Sequence, residues 1–166
     1  LLSMEEKNQL IKIIIEANNS RLPLVIGIGG NNTDSVIKEI NKTNLYHFSA
    51  ILSVSPYYVK PTQKGIIKHY SMISKESPIP LILYNVPSRT GSIIKIDTYL
   101  EIIDQNDNIL GIKEASGNLS FAQDLIKASP SNIQVICGDD QLTLPMILSG
   151  GSGSISVIAN AFPNKI

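Results

Sequence analysis

Cys137 is the only cysteine in the 166 residues, so no disulfide forms within the chain and a reducing compartment suits it. Its place in the apolar run Ile133-Gln134-Val135-Ile136-Cys137 marks a core thiol rather than a catalytic one. No sign of charge dominates either. Fourteen basic residues face fourteen acidic ones, which removes any electrostatic case for nucleic acid or a membrane surface. No apolar run approaches the roughly 20 residues that span a bilayer. Leu1-Leu2 runs straight into charge, without the layout of a signal peptide. The expected location is cytoplasmic. His47 and His69 stand apart, so no cluster of His and Cys offers a metal site. A P-loop is absent. Gly27-Ile28-Gly29-Gly30 misses the G-x-G-x-x-G dinucleotide spacing, because Asn32 takes the last glycine's place. A tight turn or a close backbone approach is the reading that remains, and no cofactor is implied. An initiator methionine is lacking too. The chain stops at Pro163-Asn164-Lys165-Ile166, just after an apolar strand, so both ends read as cut.

What is present alternates. Ser3 and Glu6 form a capping box ahead of a helix whose apolar positions are Leu10, Ile11, Ile14 and Ile15, ending near Asn18-Asn19-Ser20. Leu24 to Ile28 is a short strand. Asn32 or Thr33 caps a helix to about Lys42, and Ala50 to Val54 is the next strand. Thr62 starts a helix, broken by Pro78 and Pro80 before the strand Leu81 to Tyr84. Asp97 caps a helix, and the strand leading to Lys113 follows. Asn118 caps a helix to about Ala128. Then come the strand Ile133 to Cys137, a helix from Leu142 to Leu148, and the strand Ser154 to Ile158.

Six strands thus alternate with six helices, counting the first. The strands are apolar throughout, as strands covered on both faces are. Such alternation means parallel strands joined by right-handed crossovers. An open doubly wound sheet and a (β/α)8 barrel both satisfy it. Polar residues gather after every strand end: Gly29-Gly30, Pro56-Tyr57-Tyr58, Tyr84-Asn85, Lys113-Glu114, Gly138-Asp139-Asp140 and Asn160. An open sheet concentrates its chemistry at one switch point, so this distribution favours a barrel mouth. Six strands do not close an eight-stranded barrel, so that reading requires further chain.

Lys113 sits in Ile109-Leu110-Gly111-Ile112-Lys113-Glu114-Ala115-Ser116-Gly117, where Leu110, Ile112 and Ala115 call for dry surroundings. A buried, unpaired ammonium is costly and tends to lose its proton. A neutral lysine amine attacks carbonyls, which is Schiff-base chemistry. The competing reading is a stem that snorkels past the strand end into water. Tyr84 ends the preceding strand at the same mouth, as a proton shuttle or as a core tyrosine. Of the adjacent Tyr57 and Tyr58, one is expected to pack and one to function. Arg89 suits a carboxylate, which a guanidinium holds with two hydrogen bonds; a solvated loop charge is the alternative. Asp139 and Asp140 have no evident role beyond Asp140 capping the next helix.

Tyr84-Asn85-Val86-Pro87-Ser88-Arg89-Thr90-Gly91 and Gly111-Ile112-Lys113-Glu114-Ala115-Ser116-Gly117 resemble the dihydrodipicolinate synthase family, also called 4-hydroxy-tetrahydrodipicolinate synthase, of the pyruvate-dependent class I aldolases. Ser55-Pro56-Tyr57-Tyr58, Gly138-Asp139-Asp140 and Gly150 to Asn160 match in order and spacing, so the resemblance covers nearly the whole chain. It implies a (β/α)8 TIM barrel that condenses pyruvate with aspartate-4-semialdehyde on the route to lysine and diaminopimelate, without a cofactor. Lys113 matches the imine-forming lysine and Tyr84 its proton donor and acceptor. Tyr58 matches a relay tyrosine lent across a dimer interface. Arg89 matches the arginine that holds the semialdehyde carboxylate, and Ile155 a backbone contact to pyruvate. A homodimer, often paired into a tetramer, is implied as well. Asn31 and Tyr57 match two positions of the pocket where lysine-inhibited members bind lysine. Met4, Lys7 and Ser35 replace the His, His and Glu of inhibited enterobacterial members, and a cation at position 7 is expected to repel lysine.

The family's Gly-Thr-Thr-Gly-Glu segment, with a relay threonine and pyruvate-carboxylate contacts, belongs shortly before Leu1 and is not in the chain. Residues 1–166 therefore read as a partial barrel domain covering about strands three to eight, without the first two strands and the C-terminal helices. Alone it is expected to be inactive. The rival readings are a 2-keto-3-deoxy sugar-acid aldolase of the same superfamily and a non-catalytic barrel remnant. The sialic-acid lyase branch normally lacks an arginine at the position of Arg89.

Overall fold

The computed structural model describes residues 2–165. Helix α1 (Met4–Asn18) opens with the expected capping box: Ser3 Oγ accepts from the Glu6 N–H, and the Glu6 carboxylate accepts from the Ser3 N–H. Asn19 ends it in the left-handed conformation. Strand β1 (Val25–Gly27) is shorter than the apolar run suggested. Asn32 caps α2 (Thr33–Lys42), Thr62 caps α3 (Gln63–Glu76) and Asn118 caps α6 (Leu119–Ala128), each through a side-chain oxygen that takes up a free N–H of the first turn. Strands β2 (Ala50–Val54), β3 (Leu81–Asn85), β4 (Ile109–Glu114) and β5 (Gln134–Cys137) lie where the pattern put them.

With the short strand β6 (Gly153–Ser154), all six strands are parallel and pair in chain order, β1 through β6. A doubly wound sheet would reverse order at a switch point. Unbroken sequential order is that of neighbouring barrel staves, so the barrel reading holds for the described residues. Leu83 and Ile112 face outward into one cluster with Ile66, Tyr70, Tyr99 and Leu125 from the surrounding helices. Leu52, Val54 and Tyr84 face the other way, into the mouth.

Five expectations need correction. Leu110 is 37% exposed, not dry, because the β3–β4 register skips it between Leu81 and Ile82, and the bulge turns it out. Lys95, not Asp97, is the N-cap of α5 (Ile96–Gln105); Asp97 lies in its first turn, where a carboxylate still meets the positive helix end. The final strand, β6 (Gly153–Ser154), is only two residues long. Asp140 accepts from the N–H groups of Val157 and Ile158, which draws that segment into a 3₁₀ turn, Ile158–Asn160, instead of extending the strand. Asp139, not Asp140, caps the 3₁₀ turn Asp140–Leu142 that precedes α7 (Thr143–Leu148). Finally, α1 buries no residue fully, and Leu10 and Ile14 are exposed, since the edge strand β1 offers it sheet on one side only.

Candidate active site

Register brings the two best candidates together. Tyr84 and Lys113 are directly paired across β3 and β4, and the lysine Nζ lies 4.5 Å from the centre of the tyrosine ring. Lys113 is 8% exposed, so its stem does not snorkel into water. No carboxylate forms an ion pair with it; among the described residues the one such pair is Lys7–Glu39. Desolvation holds the Lys113 pKa below the ordinary lysine value. The negative potential of Asp140 and Cys137 works against that shift, and the charge of Arg89 works with it. The result is an enclosed amine with a raised share of the neutral, nucleophilic form.

Gly138 makes room for this side chain. A Cβ there would lie 2.7 Å from Lys113 Cε and 2.8 Å from Ala115 Cβ. Gly29 serves the neighbouring strand in the same way: a Cβ would fall 2.9 Å from the Val54 nitrogen. The Gly-rich turn is thus a close backbone approach, as its sequence suggested.

Arg89 stands on α4 (Pro87–Thr90), a four-residue helix where the sequence pattern predicts a loop. Pro87 is preset for its first turn, and Gly91 (φ 74°) ends it in the left-handed region. Arg89 is exposed and lines an apolar cleft of about 420 Å³ with Tyr84, Tyr57, Leu52, Val54 and Val86. A guanidinium at the rim of an apolar cleft can hold a small carboxylate, and a buried amine behind the cleft's Tyr84 can attack a carbonyl.

Tyr58 is not part of this cleft. Its φ is 71°, Val59 N–H donates back to Tyr57 C=O at 2.9 Å, and the side chain is 87% exposed. That tight turn is strained for an aromatic residue, and it aims the ring away from its own chain. Ile155 follows β6, and its N–H donates to Cys137 C=O at 2.9 Å. Asn31 and Tyr57 do not share a cavity: Asn31 lines a separate hollow with Lys68 and His69. Lys7 is no free cation, because Glu39 pairs with it at 2.6 Å, which weakens the expected repulsion of a cationic effector. Cys137 is buried, with its Sγ bonded to Asp139 C=O. His69 is buried too, and its Nδ1 meets Thr33 Oγ1 at 2.8 Å. No metal-binding group of three or more His, Cys, Asp or Glu occurs among the described residues, and no helix there is long and apolar enough to cross a membrane.

The buried partners behind the site are not evident from the sequence pattern. Asn85 and Glu114, the residues after Tyr84 and Lys113, pair across the same two strands, and Asn85 Nδ2 donates to Glu114 Oε2 at 2.6 Å. The signal was available as two polar residues at equivalent strand ends. Asp140 was missed as well; it bears electrostatically on Lys113, and its pKa is lowered by hydrogen bonds from Ser156, Ile158 and Val157.

A family profile described as the dihydrodipicolinate synthetase family matches residues 1–166. The chain is 53% identical over 164 residues to a 4-hydroxy-tetrahydrodipicolinate synthase of Flavobacterium psychrophilum, covering 99% of this chain and 56% of that protein. Among solved structures it is similar to the 4-hydroxy-tetrahydrodipicolinate synthase of Methylacidiphilum fumariolicum, with TM-score 0.92 and 38% identity over 98% of this chain and 54% of the other. It is equally similar in fold to the chloride-inhibited dihydrodipicolinate synthase of Acinetobacter baumannii complexed with pyruvate, with TM-score 0.92 and 42% identity over 98% and 55%. The chain therefore spans slightly more than half the length of the relatives it matches. Its six parallel strands are a large part of their barrel, and not a doubly wound sheet.

Proposed function

The chain belongs to the dihydrodipicolinate synthetase family, and from that premise we propose that the whole protein condenses pyruvate with L-aspartate-4-semialdehyde through an imine on Lys113. This is 4-hydroxy-tetrahydrodipicolinate synthase activity, a step toward diaminopimelate and lysine. The observation that carries it is the enclosed amine of Lys113 over the Tyr84 ring, without a carboxylate partner and beside a cleft edged by Arg89. In this reading neutral Nζ attacks the ketone carbon of pyruvate. The Tyr84 hydroxyl moves protons as water leaves and as the product cyclises. Arg89 holds the semialdehyde carboxylate. The Ile155 N–H is already bonded to Cys137, so its contact to pyruvate falls to the carbonyl. No cofactor takes part.

Tyr58 serves a neighbouring subunit. Its strained turn and outward ring fit a residue lent across an interface, in a homodimer that pairs into a tetramer. Asn31 and Tyr57 belong to a lysine pocket that closes only between subunits. The location is cytoplasmic, where a free Cys137 stays reduced. The chain by itself leaves both β1 and β6 with one unpaired edge among the described residues, and is proposed to lack turnover.

The test is product formation by the whole protein from pyruvate with each of two aldehydes. Aspartate-4-semialdehyde is expected to give the cyclic product, and a sugar aldehyde such as glyceraldehyde to give little. Preference for the sugar aldehyde would assign the site to the sugar-acid aldolases. No condensation with either would remove the catalytic reading.

A further inference from the structure

Asn85 and Glu114 are 0% and 2% exposed, and they are register partners at the ends of β3 and β4. Strand alternation turns them to the helix-facing side, with Leu83 and Ile112, away from the cleft. Glu114 is fully engaged there: Asn85 Nδ2 donates to its Oε2 at 2.6 Å, and Ser116 N–H donates to its Oε1 at 2.6 Å. Asn85 is engaged as well. Its Oδ1 accepts from Ile94 N–H at 3.0 Å, and its backbone carbonyl accepts from Ala115 N–H at 2.9 Å.

A carboxylate in such a place is expensive, and two apolar side chains of similar volume would commonly give equal or greater stability. What an apolar pair would not supply is direction. A slip by one residue turns every side chain to the other face, and where both faces are apolar that slip exchanges one apolar face for another, so the hydrophobic pattern alone does not penalise it. The β3–β4 pairing already shifts at Leu110, shortly before Tyr84 and Lys113. The pair Tyr84 with Lys113 has to be correct for the amine to meet the ring.

We propose that the Asn85–Glu114 hydrogen bond is a register lock for the reaction site, and that these two are positioning residues which hold Lys113 Nζ over Tyr84 without touching substrate. The inference rests on the imine reading of Lys113. The bond from Ser116 extends the lock to the turn that follows β4, where Gly117 has φ 75°.

Donor and acceptor counting supplies the test. In Glu114→Gln one carboxylate oxygen becomes an NH2, which opposes either the Asn85 NH2 or the Ser116 N–H. In Asn85→Asp an oxygen is set against a carboxylate oxygen. The double variant, Asn85→Asp with Glu114→Gln, exchanges the two roles. The introduced glutamine donates through its amide nitrogen to the introduced aspartate and accepts through its amide oxygen from the Ser116 N–H. The aspartate still accepts from the Ile94 N–H. All three bonds return with the net charge unchanged.

The whole protein and its three variants are incubated with pyruvate, and the rate of borohydride trapping on Lys113 is followed beside kcat and KM. Each single variant is expected to trap and turn over about 10- to 100-fold more slowly per folded molecule, the scale of a sub-ångström to ångström misplacement, with KM little changed. The double variant is expected to recover most of the loss. Single variants that fold and trap at the wild-type rate overturn the proposal, as does a double variant no better than the singles. So does a loss that merely tracks the fraction unfolded by circular dichroism. Absence of any adduct in the wild-type protein overturns the imine reading and the lock together, whereas the other adverse results overturn the lock alone.

Discussion

Replacing Gly138 with alanine is expected to disable the amine while leaving the fold in place. A Cβ at position 138 falls 2.7 Å from Lys113 Cε, 3.1 Å from Lys113 Cγ and 2.8 Å from Ala115 Cβ. Carbon pairs rest about 3.5–4.0 Å apart, so the lysine stem, the softest of these neighbours, must move by roughly 1 Å. A misplacement of about 1 Å costs about 100-fold in rate, or about 2.7 kcal/mol of transition-state stabilisation. The added methyl also overpacks the strand ends, at about 1–3 kcal/mol of stability, so melting temperature and circular dichroism are measured on the same preparation. The assay is kcat of the whole protein at saturating pyruvate and semialdehyde, together with the rate of adduct trapping by borohydride. A folded Gly138→Ala protein with kcat within about twofold of wild type, under about 0.5 kcal/mol, would refute the claim that this glycine sets the amine's position.

Three further outcomes are expected. Asp140→Asn removes a negative charge that raises the Lys113 pKa, so the pH at which trapping reaches half its plateau should move down; a shift upward, or none, contradicts the assigned electrostatics. Burial lowers the His69 pKa from 6.5 to about 4, so the unfolded chain binds more protons between those values, and stability is full above the upper one and falls as the pH drops through the window. The loss between pH 7 and pH 5 is about 2 kcal/mol, read as a difference in urea midpoints; an equal fall in His69→Gln would contradict the burial argument. Subunits carrying Tyr58→Phe and subunits carrying Lys113→Ala are each expected to be nearly inactive alone. Refolded together at equal amounts they should regain about a quarter of wild-type activity, because in the proposed dimer half of the pairs would be mixed and each mixed pair would have one complete site. No recovery on mixing would place the tyrosine's role within its own subunit.

Much of the architecture was written in local chemistry. The cap residues Ser3, Asn32, Thr62 and Asn118 were legible because a side-chain oxygen next to an apolar helical run has one strong use. Parallel pairing followed from strict alternation of strand and helix, the barrel from the polar residues after every strand end, and the chemistry from a lysine in an apolar strand. What stayed hidden depends on partners distant in sequence. The β4 bulge that turns Leu110 out exists only against β3. The early end of β6 depends on the Asp140 carboxylate seventeen residues away from Val157. Short α4 carries too few residues for any periodicity to show. The Asn85–Glu114 bond was missed for a related reason: each residue sits beside a more conspicuous one, and only the register shows that they face each other.

The proposed reaction depends on capture of pyruvate by the Lys113 amine. Sodium borohydride added to the whole protein with pyruvate, followed by peptide mass mapping, tests it most directly. A reduced pyruvyl adduct is expected on the peptide containing Lys113 and is expected to be absent in Lys113→Ala. An adduct on another lysine, or one that persists in Lys113→Ala, would contradict it.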